Sequence, residues 1–227
     1  MQPSFWHERW SKDEIGFHQP APNEHLRNYA GELGVSPGQT VLVPLCGKSL
    51  DMLWLAEQGY RVCGIEISRR AVLDFFQENG LQYDVIPSDD GERYRSDRID
   101  IFCTDFLDLE PDALPPIDGV YDRAALVALP PKMRPPYVRR LDSLIRPGMK
   151  TLVITLQYPQ DEMKGPPFSV TGDEVLKLFG PRYETRQLHS ADCLAREPRF
   201  REKGLSRLEE HVFLLSKSAP GSRAAGL

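Results

Sequence analysis

The apolar positions change their period along the chain, and each change marks an element. Val41, Leu42 and Val43 make a short, largely β-branched run that ends in Pro44, Cys46 and Gly47, after which Leu50, Leu53, Trp54 and Ala56 recur at helical spacing as far as Gly59. This is a strand, a sharp turn and a helix. Residues 61–67, RVCGIEI, give a second strand, and Ser68 is placed to cap a helix whose Val72, Phe75 and Phe76 face inward before Gly80. Upstream, Leu26, Tyr29, Ala30 and Leu33 keep a helical spacing from Asn23 to Gly34. A β-α-β-α order requires right-handed crossovers, and therefore a parallel sheet with helices on both faces.

Residues 83–95, YDVIPSDDGERYR, interrupt this rhythm as a polar insertion with a hairpin tip at Asp90-Gly91. Residues 99–105 resume as the third strand, Val120-Tyr121 is the fourth, and TLVITL at 151–156 is the fifth. Between the last two, residues 130–146 read as a helix opened by prolines with Val138, Leu141, Leu144 and Ile145 inward. Residues 158–168, YPQDEMKGPPF, form a Pro/Gly loop, and Thr171 to Glu174 spell a capping box. Strands at 183–189 and 210–215 enclose a basic loop with Arg196, Arg199, Arg201, Lys203 and Arg207. The expected organisation is one domain over 1–217, with the first 34 or so residues as an N-terminal lid and 218–227 as a disordered tail. Phe5, Trp6, Trp10 and Phe17 gather aromatic surface early in that lid, which covers either the core or a ligand.

Composition narrows the partners. Of 227 residues 41% are hydrophobic and 27% charged, with a formal charge of −5, so neither nucleic acid nor a membrane surface is an expected partner. No apolar run approaches the roughly 20 residues of a membrane span, and the N-terminus lacks a signal-peptide core, which points to the cytoplasm. Cys46, Cys63, Cys103 and Cys193 lie far apart and read as small buried hydrophobes with reduced thiols. The five histidines show no metal-ligand spacing, and no metal is expected. A monomer acting on a small molecule is the resulting expectation.

The turn after the first strand decides which small molecule. Gly47-Lys48-Ser49 imitates the end of a phosphate loop, but the first glycine of that motif falls at Leu42, inside the strand. A dinucleotide fingerprint needs glycines where the chain has Leu45 and Leu50. Lys48 then reads as surface charge. Glu66 stands at the end of the second strand, 19 residues after Gly47, where a carboxylate accepts both hydroxyls of a ribose. Asp105 and Phe106 end the third strand, suited to an adenine amino group and to stacking on a base. A strand-end carboxylate is also a common helix cap. Ribose and adenine together, without a pyrophosphate cradle, favour S-adenosylmethionine.

The strings FWHERW, IGFH, PLCGKS, GIEIS, YDRAALVAL, GPPF and PRFREKG together resemble the thiopurine S-methyltransferase family over nearly the whole chain, from about Phe5 to Lys217. The resemblance implies an α/β, Rossmann-like class I methyltransferase fold, a seven-stranded and mostly parallel sheet whose last strand is antiparallel. It also implies methyl transfer from S-adenosylmethionine, leaving S-adenosylhomocysteine, to the sulfur of an aromatic or heterocyclic thiol in detoxification. By matching positions it places Trp10, Leu45, Glu66 and Arg123 at the cofactor, with Gly47 giving close approach, and Phe17 and Arg199 at the acceptor. Arg123 and Arg199 are the candidates for stabilising a thiolate, since a guanidinium favours the anionic acceptor. Selenium or tellurium species are alternative acceptors, and a cofactor-binding sensor without catalysis is an alternative of another class.

Overall fold

In the computed structural model, which describes residues 3–88, 91–123 and 125–219, the short apolar runs become strands and their punctuation becomes turns. The backbone groups into two units that divide between Tyr121 and Asp122. The first holds α1 (Pro3–Ser11), α2 (Glu24–Tyr29) with a 3-10 turn over Ala30–Leu33, β1 (Thr40–Pro44), α3 (Asp51–Glu57), β2 (Arg61–Glu66), α4 (Arg69–Glu78), β3 (Asp84–Ser88), β4 (Gly91–Arg95) and β5 (Ile99–Cys103). β6 (Gly119–Asp122) ends at the division. β1 is buried along its whole length and β2 everywhere but Arg61, as strands covered on both faces must be. β1 pairs in parallel with β2 and β6, and β2 in parallel with β5.

Residues 83–95 do form a hairpin. β3 and β4 pair antiparallel and β4 adds antiparallel to β5, so the insertion adds two strands beside β5 in the first unit. Tyr94 anchors β4 at 0% exposure, and its hydroxyl donates to Glu92 two residues earlier on the same face at 2.6 Å. The expected tip residue Asp90 lies outside the described residues.

The second unit holds α5 (Ala125–Ala128), a 3-10 turn over Pro131–Met133, α6 (Arg134–Leu144), β7 (Lys150–Gln157), α7 (Gly172–Phe179), β8 (Tyr183–Asp192), α8 (Pro198–Glu202) and β9 (Glu209–Lys217). β9 lies between β7 and β8 and is antiparallel to both, which is the antiparallel last strand the family resemblance implied. Two local readings change. The capping box is half made: Thr171 Oγ1 accepts from the Glu174 N–H at 3.1 Å, but the Glu174 carboxylate is taken by Arg134. The basic loop is built around an apolar cluster in which Cys193, Phe200, Leu205 and Leu208 bury against Tyr158. Of the expected tail, Ser218 donates its N–H to the Arg182 carbonyl, and residues 220–227 lie outside the described residues.

Close packing of the β1 turn and α3 over β2 depends on one missing side chain. A Cβ at Gly64 would stand 2.9 Å from Cys46 Sγ, 3.1 Å from Met52 Sδ and 3.3 Å from Ile101. Gly64→Ala is therefore expected to destabilise the fold by about 1–3 kcal/mol through overpacking. Urea denaturation reads the loss, and adding Cys46→Ala should recover part of it; equal midpoints for wild type and Gly64→Ala would refute the packing argument.

Candidate active site

The β1 turn is stitched to β2 residue by residue. Pro44 pairs with Ile65, the Cys46 N–H donates to the Ile65 carbonyl at 2.9 Å, and the Gly47 N–H donates to Glu66 Oε2 at 2.8 Å. Leu45 and Gly47 both have left-handed backbones, φ 49° and 54°. A leucine there carries strain of about 1–2 kcal/mol, and strain of this kind gathers where a ligand fixes the geometry.

Glu66 is the hub. Its second oxygen accepts the Ser68 N–H at 2.7 Å, while the Thr104 N–H donates to the Glu66 carbonyl at 3.0 Å. One residue thus ties the turns after β1 and β2 to the end of β5. The carboxylate is 6% exposed, and burial pushes its pKa up to about 7 although the N–H groups of Ser68, Gly47 and Ile67 pull the other way. A carboxylate offers about four acceptor positions, so capacity remains for ribose hydroxyls beside the backbone donors.

The aromatic segment covers this turn. Trp10 is 2% exposed, and a Cβ at Gly47 would meet its ring at 3.1 Å, so glycine is what admits the indole. Phe17 stands edge-on to Trp10 at 5.6 Å and to Trp6 at 6.0 Å. The segment is tied again at its far end: the buried Asp51 accepts the Asn23 N–H at 2.7 Å through one oxygen and the Tyr121 hydroxyl at 3.0 Å through the other. Asn23 in turn caps α2. Sequence pattern did not mark Asp51 or Tyr121, since their partners lie 28 and 70 residues away.

Trp10, Phe17, Leu45, Gly47 and Glu66 are therefore brought together. Asp105 and Phe106 follow Thr104, but Asp105 gives one oxygen to the Leu107 N–H at 2.9 Å and Phe106 is 3% exposed. A cleft of about 390 Å³ opens at the end of β5 beside Ser88, Glu92, Phe102 and Leu109, and none of the candidate residues lines it. Lys48 is not surface charge: it is 8% exposed and its Nζ donates to Glu78 Oε1 at 2.6 Å, binding the turn to the end of α4. The cysteines behave as expected, all free, with burial raising every thiol; Cys103 is pushed up to about 11 and Cys193 to about 12.

In the second unit Arg123 is half-buried between β6 and α5. Its neighbour Asp122 is fully buried, accepts the Ala125 N–H at 3.0 Å and the Tyr137 hydroxyl at 2.6 Å, and is pushed up to about 6 by burial. Arg199 sits in α8 with its guanidinium over the Phe200 ring at 4.6 Å and its Nε 3.1 Å from Glu197. The loop after β7 is joined to the segment after α8: Glu162 accepts from the Ser206 N–H and hydroxyl at 2.8 and 2.6 Å, and within that loop Tyr158 donates its hydroxyl to the Pro167 carbonyl at 2.5 Å.

The family model for thiopurine S-methyltransferase matches residues 1–218. A thiopurine S-methyltransferase of Nitrosospira multiformis is 48% identical over 215 residues, covering 95% of this chain and 98% of its own. One from Pseudomonas entomophila is 46% identical over 217 residues, covering 96% and 100%. Among solved structures, an Anabaena variabilis S-adenosylmethionine-dependent methyltransferase superposes with a TM-score of 0.65 at 14% identity, covering 95% of this chain and 94% of that one. The Burkholderia thailandensis 1,6-didemethyltoxoflavin N1-methyltransferase, solved with S-adenosylhomocysteine, gives 0.62 at 15% identity, covering 96% and 87%. At these identities the two structures establish the fold, that of class I methyltransferases.

If an adenosyl group places its ribose hydroxyls on Glu66, their donation favours the anion and lowers the pKa from about 7. Binding then releases a proton, and S-adenosylhomocysteine affinity should rise with pH up to about 7 and level off above it. Calorimetry in buffers of different ionisation enthalpy measures the proton. Glu66→Gln should bind more weakly with a flat profile; a wild type that is itself flat between pH 5.5 and 8 (roughly, the window this pKa spans) would remove Glu66 from the site.

Proposed function

The chain belongs to the thiopurine S-methyltransferase family, and on that premise we propose that it transfers the methyl group of S-adenosylmethionine to the sulfur of aromatic or heterocyclic thiols. The cofactor supplies a sulfonium methyl that is already an activated electrophile. The protein's part is to hold the acceptor sulfur in line and to exclude water. The observation that carries the reading is Glu66, buried at the end of β2 with acceptor capacity left over, beside a β1 turn that has no phosphate cradle.

Trp10, Leu45, Gly47, Glu66 and Arg123 are assigned to the cofactor. The aromatic segment around Trp10 and Phe17 excludes water from the β1 turn, and shielding a reacting centre favours an enzyme over a sensor. Phe17 and Arg199 are assigned to the acceptor, whose thiolate Arg123 and Arg199 stabilise as fixed positive charges. The Phe200 face and the Glu197 carboxylate hold the Arg199 guanidinium in place. No described helix is long and apolar enough to cross a membrane, and four free thiols suit a reducing compartment such as the cytoplasm. A monomer acting without nucleic acid completes the reading.

The test is methyl transfer from labelled S-adenosylmethionine to a panel of thiopurines, thiophenols and selenite. Thiols should be methylated and selenite should lag; transfer to none of them with tight cofactor binding would establish the sensor instead. Arg199→Ala should leave cofactor affinity intact and lower kcat/KM for the thiol by about 10- to 100-fold, the equivalent of one hydrogen bond to a charged group. A variant that loses cofactor affinity to the same extent would place Arg199 elsewhere.

A further inference from the structure

We propose that Arg134 is a positioning residue that sets the acceptor seat by fixing the loop after β7 against the segment after β6. The inference rests on the methyl-transfer reading above. Arg134 is the first residue of α6 and is 0% exposed. Its Nε donates to the carbonyls of Leu126 and Leu129 at 3.2 and 3.0 Å, in the segment that follows Arg123. Nη1 lies 2.6 Å from each oxygen of Glu174 at the start of α7, and Nη2 donates to the Ser169 carbonyl at 3.1 Å. All three nitrogens of the fork are engaged, and each faces a different stretch of chain.

A buried guanidinium must satisfy its donors whatever its role, so what points beyond stability is where these partners lie. Here the partners lead outward to the acceptor arginines. Next to Ser169, the Phe168 N–H donates to the Val127 carbonyl at 2.6 Å, so the GPPF loop is latched directly onto α5. The Ser169 hydroxyl accepts the Tyr158 N–H at 3.0 Å, and Tyr158 packs in the cluster with Phe200, whose ring carries the Arg199 guanidinium. The path from the Arg123 segment to Arg199 thus runs through one guanidinium and one loop. Arg123 is secured independently from its N-terminal side, where Asp122 is held by Ala125 and Tyr137.

Lysine is the discriminating replacement, because it keeps the charge opposite Glu174 but is a single point that cannot also span two separate stretches of backbone. In Arg134→Lys the acceptor KM should rise by about tenfold or more while cofactor Kd stays within about twofold, and the Phe168 amide should exchange faster while the amides of β7 do not. An acceptor KM within about twofold of wild type overturns the proposal, as does a KM that rises only in step with cofactor Kd and melting temperature. If Arg134→Lys does not fold, Glu174→Gln, which weakens the pair and keeps the fork, takes the same measurements; failure of both to fold assigns Arg134 to stability alone. A wild type that methylates no soft nucleophile refutes the acceptor reading instead, and Phe168 exchange then decides: unchanged exchange overturns the positioning role.

Discussion

A single buried carboxylate holds the ends of the first unit's central strands in register. Glu66 accepts one N–H from the turn after β1 and one from the turn after β2, and its own carbonyl receives the Thr104 N–H from the end of β5. Each bond is local in space and remote in sequence, and each satisfies a backbone donor that a tight turn would otherwise bury unpaired. The geometry of the β1 turn follows from this. Leu45 and Gly47 are held in left-handed conformations because both sides of the turn are fixed to β2, and Gly47 leaves the space into which Trp10 packs.

The chemistry suits an arrangement with few reactive groups. A sulfonium donor needs no nucleophile from the protein, and in the proposed reading the residues at the β1 turn shape and exclude rather than react. The second unit is organised on the same principle with opposite charge. Arg134 is buried with its charge matched by Glu174 and its remaining donors spent on carbonyls, which is the condition for burying a guanidinium without a large desolvation cost.

Much of this was legible in the residues. The strands, the cap at Ser68, the stop at Gly34 and the coincidence of Gly47 with Glu66 follow from period, punctuation and spacing within a β-α-β unit, where physics is local. Thr171 was also legible as a cap. Glu174 was misread as its reciprocal partner because nothing in the sequence announces a buried arginine 40 residues earlier. Lys48 was misread for the same reason: a lysine in a polar turn looks solvated until α4 brings Glu78 beside it. Asp51, Tyr121 and Tyr158 act through partners set by topology. The basic loop concealed Phe200, Leu205 and Leu208, whose spacing is too irregular for a helix or strand signal.

The four cysteines bear on a hazard specific to such a protein. A chain that binds a methylating cofactor carries soft nucleophiles of its own, and Cys46 is in the β1 turn, one residue from Gly47. Only the thiolate attacks an electrophilic carbon at a useful rate. Burial raises all four thiols, Cys46 most plainly through desolvation with the Glu66 charge adding to it, so at neutral pH the chain's own sulfur stays protonated. Packing that reads as ordinary core filling thereby also makes the protein a poor substrate for self-alkylation.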